Sequence, residues 1–215
     1  MQSFLRAAAL SAVALAATQV ASAGFVYQST DRAVSVSVAG SVADSEQNFG
    51  SGSWFGSANA LGTGYTGLAT QGSNLGAMEM TFVGAAQLEA SVVAALMATS
   101  TATIEFLADS TESISWIAGL ARQSSGAGNS ASIGLSVVDI ASGDILLAFS
   151  GPSNGSGSFD VVSGRSYRVS LSAMANLSGA SSSSANYNVG FFSSVPTPGA
   201  IALLGLAGLA GRRRR

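Results

Sequence analysis

The sequence predicts an all-β chain whose middle folds as an antiparallel β-sandwich, jelly-roll-like in its connections, with a short apolar segment at each end. Three observations predict it. Apolar residues recur at every second position through most of residues 24–194, with Ser and Thr between them, as in strands that have one buried and one solvated face. Clusters of Gly, Ser, Asn and Asp interrupt these runs every 8 to 12 residues or so, the spacing of sandwiches and barrels. Cysteine is absent, so a packed core and not a set of disulfides must hold the domain together.

Residues 1–23 carry one early cation, Arg6, an apolar stretch over residues 7–17, and Ala21-Ser22-Ala23. Small residues at −3 and −1 mark a signal-peptidase site, so Met1 to Ala23 is predicted to be a secretory signal peptide, with the mature chain starting at Gly24.

The alternating runs follow in order. They are Val34, Val36 and Val38; Met78, Met80 and Phe82; Ala102, Ile104 and Phe106; Ile114, Trp116 and Leu120; and Ile133, Leu135 and Val137. After these come Ile145, Leu147 and Phe149; Phe159 and Val161; Tyr167, Val169 and Leu171; and Tyr187, Val189 and Phe191. Each set is expected to face the core, Trp116 included. Turn signals such as Ser142-Gly143 and Ser163-Gly164 separate them, since Gly reaches positive φ and Ser bonds its own backbone. Residues 88–97 fit a helical stripe as well as a strand, and a strand is favoured. Residues 48–74, dense in Gly and Ser, read as a long surface loop or loosely formed strands, and Ser181 to Ser184 as a low-complexity loop.

Composition narrows the chemistry. Histidine and cysteine are absent, which removes the usual general base, the commonest metal ligand and every Ser–His or Cys–His nucleophile. Lysine is absent too. Residues 24–194 keep four arginines (Arg32, Arg122, Arg165 and Arg168) against eleven carboxylates, so no basic patch exists for nucleic acid. Charged residues are 9% of the chain, leaving Ser, Thr, Asn and Gly to supply the wet surface.

Paired carboxylates are the one catalytic option left, as in glycoside hydrolysis. Glu79, Glu89, Glu105 and Glu112 are available, but no local motif joins two of them, and the expectation is that the chain is not an enzyme. No cofactor is expected apart from calcium, which takes carboxylate and backbone oxygens. Asp139 and Asp144, flanking the Ala141-Ser142-Gly143 turn, are its candidate ligands. Trp54 and Phe55, set in Gly50-Ser-Gly-Ser-Trp-Phe-Gly-Ser57, and Tyr65 are the candidate ligand-binding aromatics, because a ring on a Gly/Ser platform can stack on a sugar. The alternative for Trp54 is that it folds back to cap the core.

The C-terminus is Val195, Pro196-Thr197-Pro198, an apolar run over residues 199–211, and Arg212, Arg213, Arg214 and Arg215. The apolar stretch 200–210 would reach about 16 to 20 Å as a helix, short of a hydrocarbon core of about 30 Å. The four arginines should remain cytoplasmic. This ordered triplet of Pro-bounded element, apolar run and arginine block resembles the PEP-CTERM sorting domain that exosortases recognise, with Pro-Thr-Pro where the family has Pro-Glu-Pro. The resemblance covers about a tenth of the chain. It implies a transmembrane sorting helix in residues 195–215, signal peptidase and exosortase as partners during export, and contact with the inner membrane through the tail. It further implies transient or permanent membrane anchoring, then secretion to the cell surface or an extracellular, exopolysaccharide-containing matrix. The expected role is structural or interactive. The alternative is a carbohydrate-binding jelly-roll module, assisted by calcium.

Overall fold

The computed structural model describes Gly24–Ser194, which form one compact unit. The expected signal peptide with Ala21 and Ala23, the Pro196-Thr197-Pro198 element, the expected sorting helix and Arg212 to Arg215 lie outside the described residues.

Twelve strands run through this unit: β1 (Phe25–Val38), β2 (Ser41–Asn48), β3 (Trp54–Gly62), β4 (Tyr65–Leu75), β5 (Glu79–Ala90) and β6 (Leu96–Ala108), then β7 (Glu112–Ser124), β8 (Ser130–Asp139), β9 (Ile145–Ser150), β10 (Ser153–Val161), β11 (Ser166–Leu177) and β12 (Ser181–Ser193). They form two six-stranded antiparallel sheets, ordered β2-β1-β6-β11-β8-β9 and β10-β7-β12-β5-β4-β3. Residues Gly24–Ser194 form an all-β sandwich. Among the described residues no helix is long and apolar enough to cross a membrane.

Period-two patterning builds the core directly. In β6, Ala98, Ala102, Ile104 and Phe106 are buried, while Thr99, Thr101, Thr103 and Glu105 face out. Core side chains change size along the strands. Phe25, Phe82, Phe106, Phe159, Tyr167 and Phe191 fill one end; Ala69, Ala86, Ala98, Ala175 and Ala185 fill the other. The aromatic end is cross-braced by ring contacts, Phe25 edge-on to Phe106 at 5.0 Å and Phe106 stacked on Tyr167 at 5.6 Å.

Between these ends the interior turns polar. Ser100 donates to the Thr70 carbonyl at 2.9 Å and shares a 3.0 Å hydrogen bond with the Tyr187 hydroxyl, bridging the sheets. Burial pushes the Tyr187 phenol up to about 12, against the opposing pull of Ser100, so it stays protonated. The Tyr187 ring lies over Gly84, where an added Cβ would fall 2.2 Å from its Cζ.

Several sequence expectations need correction. Of the two expectations for residues 48–74, strands form and the surface loop does not: β3 and β4 occupy most of the segment, with Trp54–Gly62 paired to Tyr65–Ser73. Between Trp54 and Leu75, which face inward at either end, their inward positions are Gly56, Ala58, Ala60, Gly67, Ala69, Gln71 and Ser73, so the alternation exists but in residues too small or polar to register as apolar periodicity. Ser181 to Ser184 open β12, with Ser183 buried and donating to the Ser130 carbonyl at 2.7 Å. Residues 88–97 are neither one strand nor a helix; β5 ends at Ala90, β6 starts at Leu96, and the chain turns between them. Ile145 is 67% exposed instead of facing the core, because a β-bulge between Val137 and Val138 shifts its pairing by one residue. Trp116, by contrast, faces the core as expected, half-buried and packed edge-on against Phe149.

Gly84→Ala should overpack the Tyr187–Ser100 bridge and cost about 1–3 kcal/mol, read as a lowered melting temperature. Gly72→Ala is the control. Its new methyl would meet nothing closer than 3.8 Å, so its effect should stay within about 0.5 kcal/mol.

Candidate functional site

The chain leaves the first sheet after β2 and enters the second at β3, through residues 49–53. Arg32 holds this crossing from inside. It sits in β1 opposite Asn48 and Ala102 and is fully buried. Its Nη1 donates to the Gly52 carbonyl at 2.9 Å and to Ser73 Oγ at 2.8 Å; its Nη2 donates to Asn48 Oδ1 at 2.6 Å and to the Gly50 carbonyl. Nε finds no partner among the described residues. No carboxylate pairs with this arginine within the described residues. Neutral oxygens and the Trp54 ring, 5.6 Å from its Cζ, surround the charge instead. Burial lowers the guanidinium below its usual pKa, while nearby Tyr27 acts the other way.

This arrangement sorts the candidate aromatics. Trp54 faces inward, half-buried, packed on the core and lying over Gly56, where a Cβ would come within 2.3 Å of the indole. Phe55, one residue on, points out and is 69% exposed. Phe49, on the Arg32-bound crossing, is 68% exposed, and the sequence reading overlooked it. Its signal was available: an aromatic preceding Gly50-Ser-Gly-Ser cannot easily be buried by a segment with nothing else to bury.

Tyr65 is elsewhere. It opens β4, its ring over Gly62, in an open groove of about 540 Å³ whose walls include Thr66, Glu89, Ser125, Ser181 and Ser182. The groove therefore presents one phenol, one carboxylate and several hydroxyls. A second depression, about 440 Å³, lies on the outer face of the other sheet among Thr101, Thr103, Ser136, Ser170 and Ser172. Trp54, Phe55 and Tyr65 are thus not gathered in one place.

Asp139 and Asp144 are also divided. Asp139 is buried at the end of β8; its Oδ1 accepts the Ala141 and Ser142 amides at 2.9 and 3.3 Å, and its Oδ2 accepts Arg165 Nη1 at 2.6 Å. Burial pushes this carboxyl up, but the Ser142 and Ala141 amides and Arg165 outweigh it and hold it below the ordinary range. Asp144 is exposed, and its main chain closes the turn through a 2.9 Å bond from the Asp139 amide. Both oxygens of Asp139 are therefore engaged in locking a hairpin. Among the described residues no group of three acidic side chains gathers as a metal site would require.

The other carboxylates have separate environments. Glu79 accepts from Asn74 at 3.0 Å, and Glu105 is bound twice by Arg168, at 2.9 and 2.7 Å. Glu112 is buried and receives the hydroxyls of Ser110 and Ser193. Glu89 lines the Tyr65 groove. No family model matches the chain, and no curated protein is similar to it.

Arg32→Lys keeps the charge but loses the planar fork. It should cost at least about 1–3 kcal/mol, the penalty for one buried acceptor left without a donor, and should red-shift Trp54 emission as water reaches the ring. Asp139 predicts a pH effect. A carboxyl held below its ordinary value of about 3.9 stabilises the fold above that value and loses this contribution as pH falls through it. Thermal melts of Asp139→Asn should therefore depend less on pH below about 4 than those of the unchanged chain.

Proposed function

We propose that this chain is a secreted, non-enzymatic structural or interaction protein of the cell surface or extracellular polymer matrix, delivered by a PEP-CTERM-type tag. The single observation that carries the reading is the ordered tail of Pro196-Thr197-Pro198, apolar run and Arg212 to Arg215. On this reading residues 1–23 are the signal peptide, 24–194 the sandwich, and 195–215 the sorting and anchoring segment handled by an exosortase at the inner membrane. The compact unit spanning Gly24–Ser194 supports those boundaries. The strand orders support a jelly roll: β5 to β12 follow its two interlocked Greek keys, as β5-β12-β7-β10 over β6-β11-β8-β9, and β1 to β4 widen both sheets by two strands.

A carbohydrate-binding role is the second reading, favoured by Tyr65, Glu89 and the serines around one groove. Phe55 and Phe49 offer a separate exposed pair. Calcium assistance through Asp139 and Asp144 would require the ion to compete with Arg165 for Asp139.

N-terminal sequencing of the exported protein should begin at Gly24, and deleting residues 195–215 should move the protein from the membrane fraction to the soluble one. A retained Met1, or unchanged fractionation, would overturn the sorting reading. Glycan arrays probed with the exported protein, with and without calcium, separate the two roles. The leading reading expects no binding. Binding that Tyr65→Ala abolishes without lowering the melting temperature would establish the second.

A further inference from the structure

A protein interior normally pairs every polar atom that it buries. Three here have no hydrogen-bond partner among the described residues: Arg32 Nε and both polar atoms of the Gln71 carboxamide. Both side chains are fully buried. A dry, unpaired amide loses its hydration and recovers nothing for it, whereas a leucine of similar size at the same position would carry no such penalty. A glutamine held there needs a partner.

The three atoms border one space. Gln71 and Ser73 are successive inward positions of β4, about 7 Å apart along the strand. Ser73 Oγ accepts from Arg32 Nη1 at 2.8 Å, and Arg32 Cζ stands 5.6 Å from the Trp54 ring. Trp54 pairs with Ser73, yet its indole lies over Gly56, the residue that pairs with Gln71. The indole therefore spans both positions. On its other flank Gln71 pairs with Gly84, which the Tyr187 ring covers. A glycine thus stands on each side of Gln71, and two aromatic rings wall the room that those glycines leave. The neighbouring polar groups are already engaged: Ser100 with Thr70 and Tyr187, and both Nη atoms of Arg32 with Gly52, Ser73, Asn48 and Gly50. One cationic donor, one amide donor and one amide acceptor are left to be satisfied.

We infer that Arg32 Nε and the Gln71 carboxamide hold a bound water between the sheets, which accepts from Nε and donates to Gln71 Oε1. Two hydrogen bonds of about 2.8 Å let one water join groups about 5 Å apart. Water both donates and accepts, as this set of atoms requires. An anion would suit the two donors but be repelled by Oε1, and a cation would meet the charge of the guanidinium. Internal waters elsewhere make two to four bonds to buried groups that the chain itself leaves unpaired. The site is closed from solvent by the crossing over residues 49–53, which Arg32 clamps. Beside that crossing Glu46 accepts the Ser57 amide at 3.1 Å and Asp44 accepts the Asn59 amide at 2.9 Å, so carboxylates of β2 cap the edge of β3.

The test uses the full-length protein in mild detergent. In the unsubstituted chain, the side-chain amide protons of Gln71 should show cross-relaxation with water of the sign that marks a long-lived contact. Oxygen-17 relaxation dispersion should count at least one more long-lived water in that chain than in Gln71→Leu. The same substitution should lower the melting temperature by a few degrees, because it takes a partner from the water and strands Arg32 Nε. Were the carboxamide dry, leucine would relieve it and the melting temperature would rise. Such a rise, an unchanged water count, or an amide silent to water in the unsubstituted chain would overturn the hydrated site. A melting temperature that climbs saturably with bromide at fixed ionic strength, and only with Gln71 present, would replace the water with an anion.

Discussion

The fold depends on one buried cation. The crossing from β2 to β3 is built almost wholly of Gly, Ser and one outward Phe, so it brings no apolar side chain with which to anchor itself. Arg32 supplies the anchor by donating to Gly50, Gly52, Asn48 and Ser73 at once. An arginine fits this task better than a lysine because its planar fork reaches several carbonyl oxygens simultaneously and is more weakly hydrated to begin with. Carbonyl dipoles and the Trp54 face take the place of a counter-ion. Pinning the crossing fixes where β3 begins, with Trp54 turned inward and Phe55 outward.

The polar groups of the interior repeat the same strategy on a smaller scale. Ser100 and Tyr187 join the sheets through hydroxyls, and Tyr27 donates to the Gly76 carbonyl at 2.7 Å. Burial raises the Tyr27 phenol above its usual pKa, with Arg32 opposing and Glu79 adding to the shift, so the group remains a donor. A domain without disulfides and with few charges thus ties its layers together with buried hydroxyls and one guanidinium, set among close-packed alanines and aromatics.

Legibility from sequence followed side-chain size. Every run whose inward positions were Val, Ile, Leu, Phe or Tyr was readable as a strand, and nine of the twelve strands were found that way. The β2 to β4 region was not readable as regular strands: β2 buries none of its residues, and between Trp54 and Leu75 the inward positions of β3 and β4 are Gly, Ala, Gln and Ser, a composition that normally signals a loop. The bulge that turns Ile145 outward could not be seen either, because parity along a strand is lost at a bulge and nothing in the local residues announces it. For the candidate sites, single residues were legible but their company was not. Tyr65 was noticed without its groove, Asp139 without Arg165, and Arg32 only as a charge to be counted.

The carboxylates that cap the β3 edge have a consequence for how large an assembly can grow. A sandwich with two sticky sides would add copies at both and extend without limit. Here Asp44 and Glu46 make one flank a terminus, leaving a single flank available. Any pairing through the other flank would leave two finished sides outward, so such an assembly would close at a pair instead of propagating as a fibre.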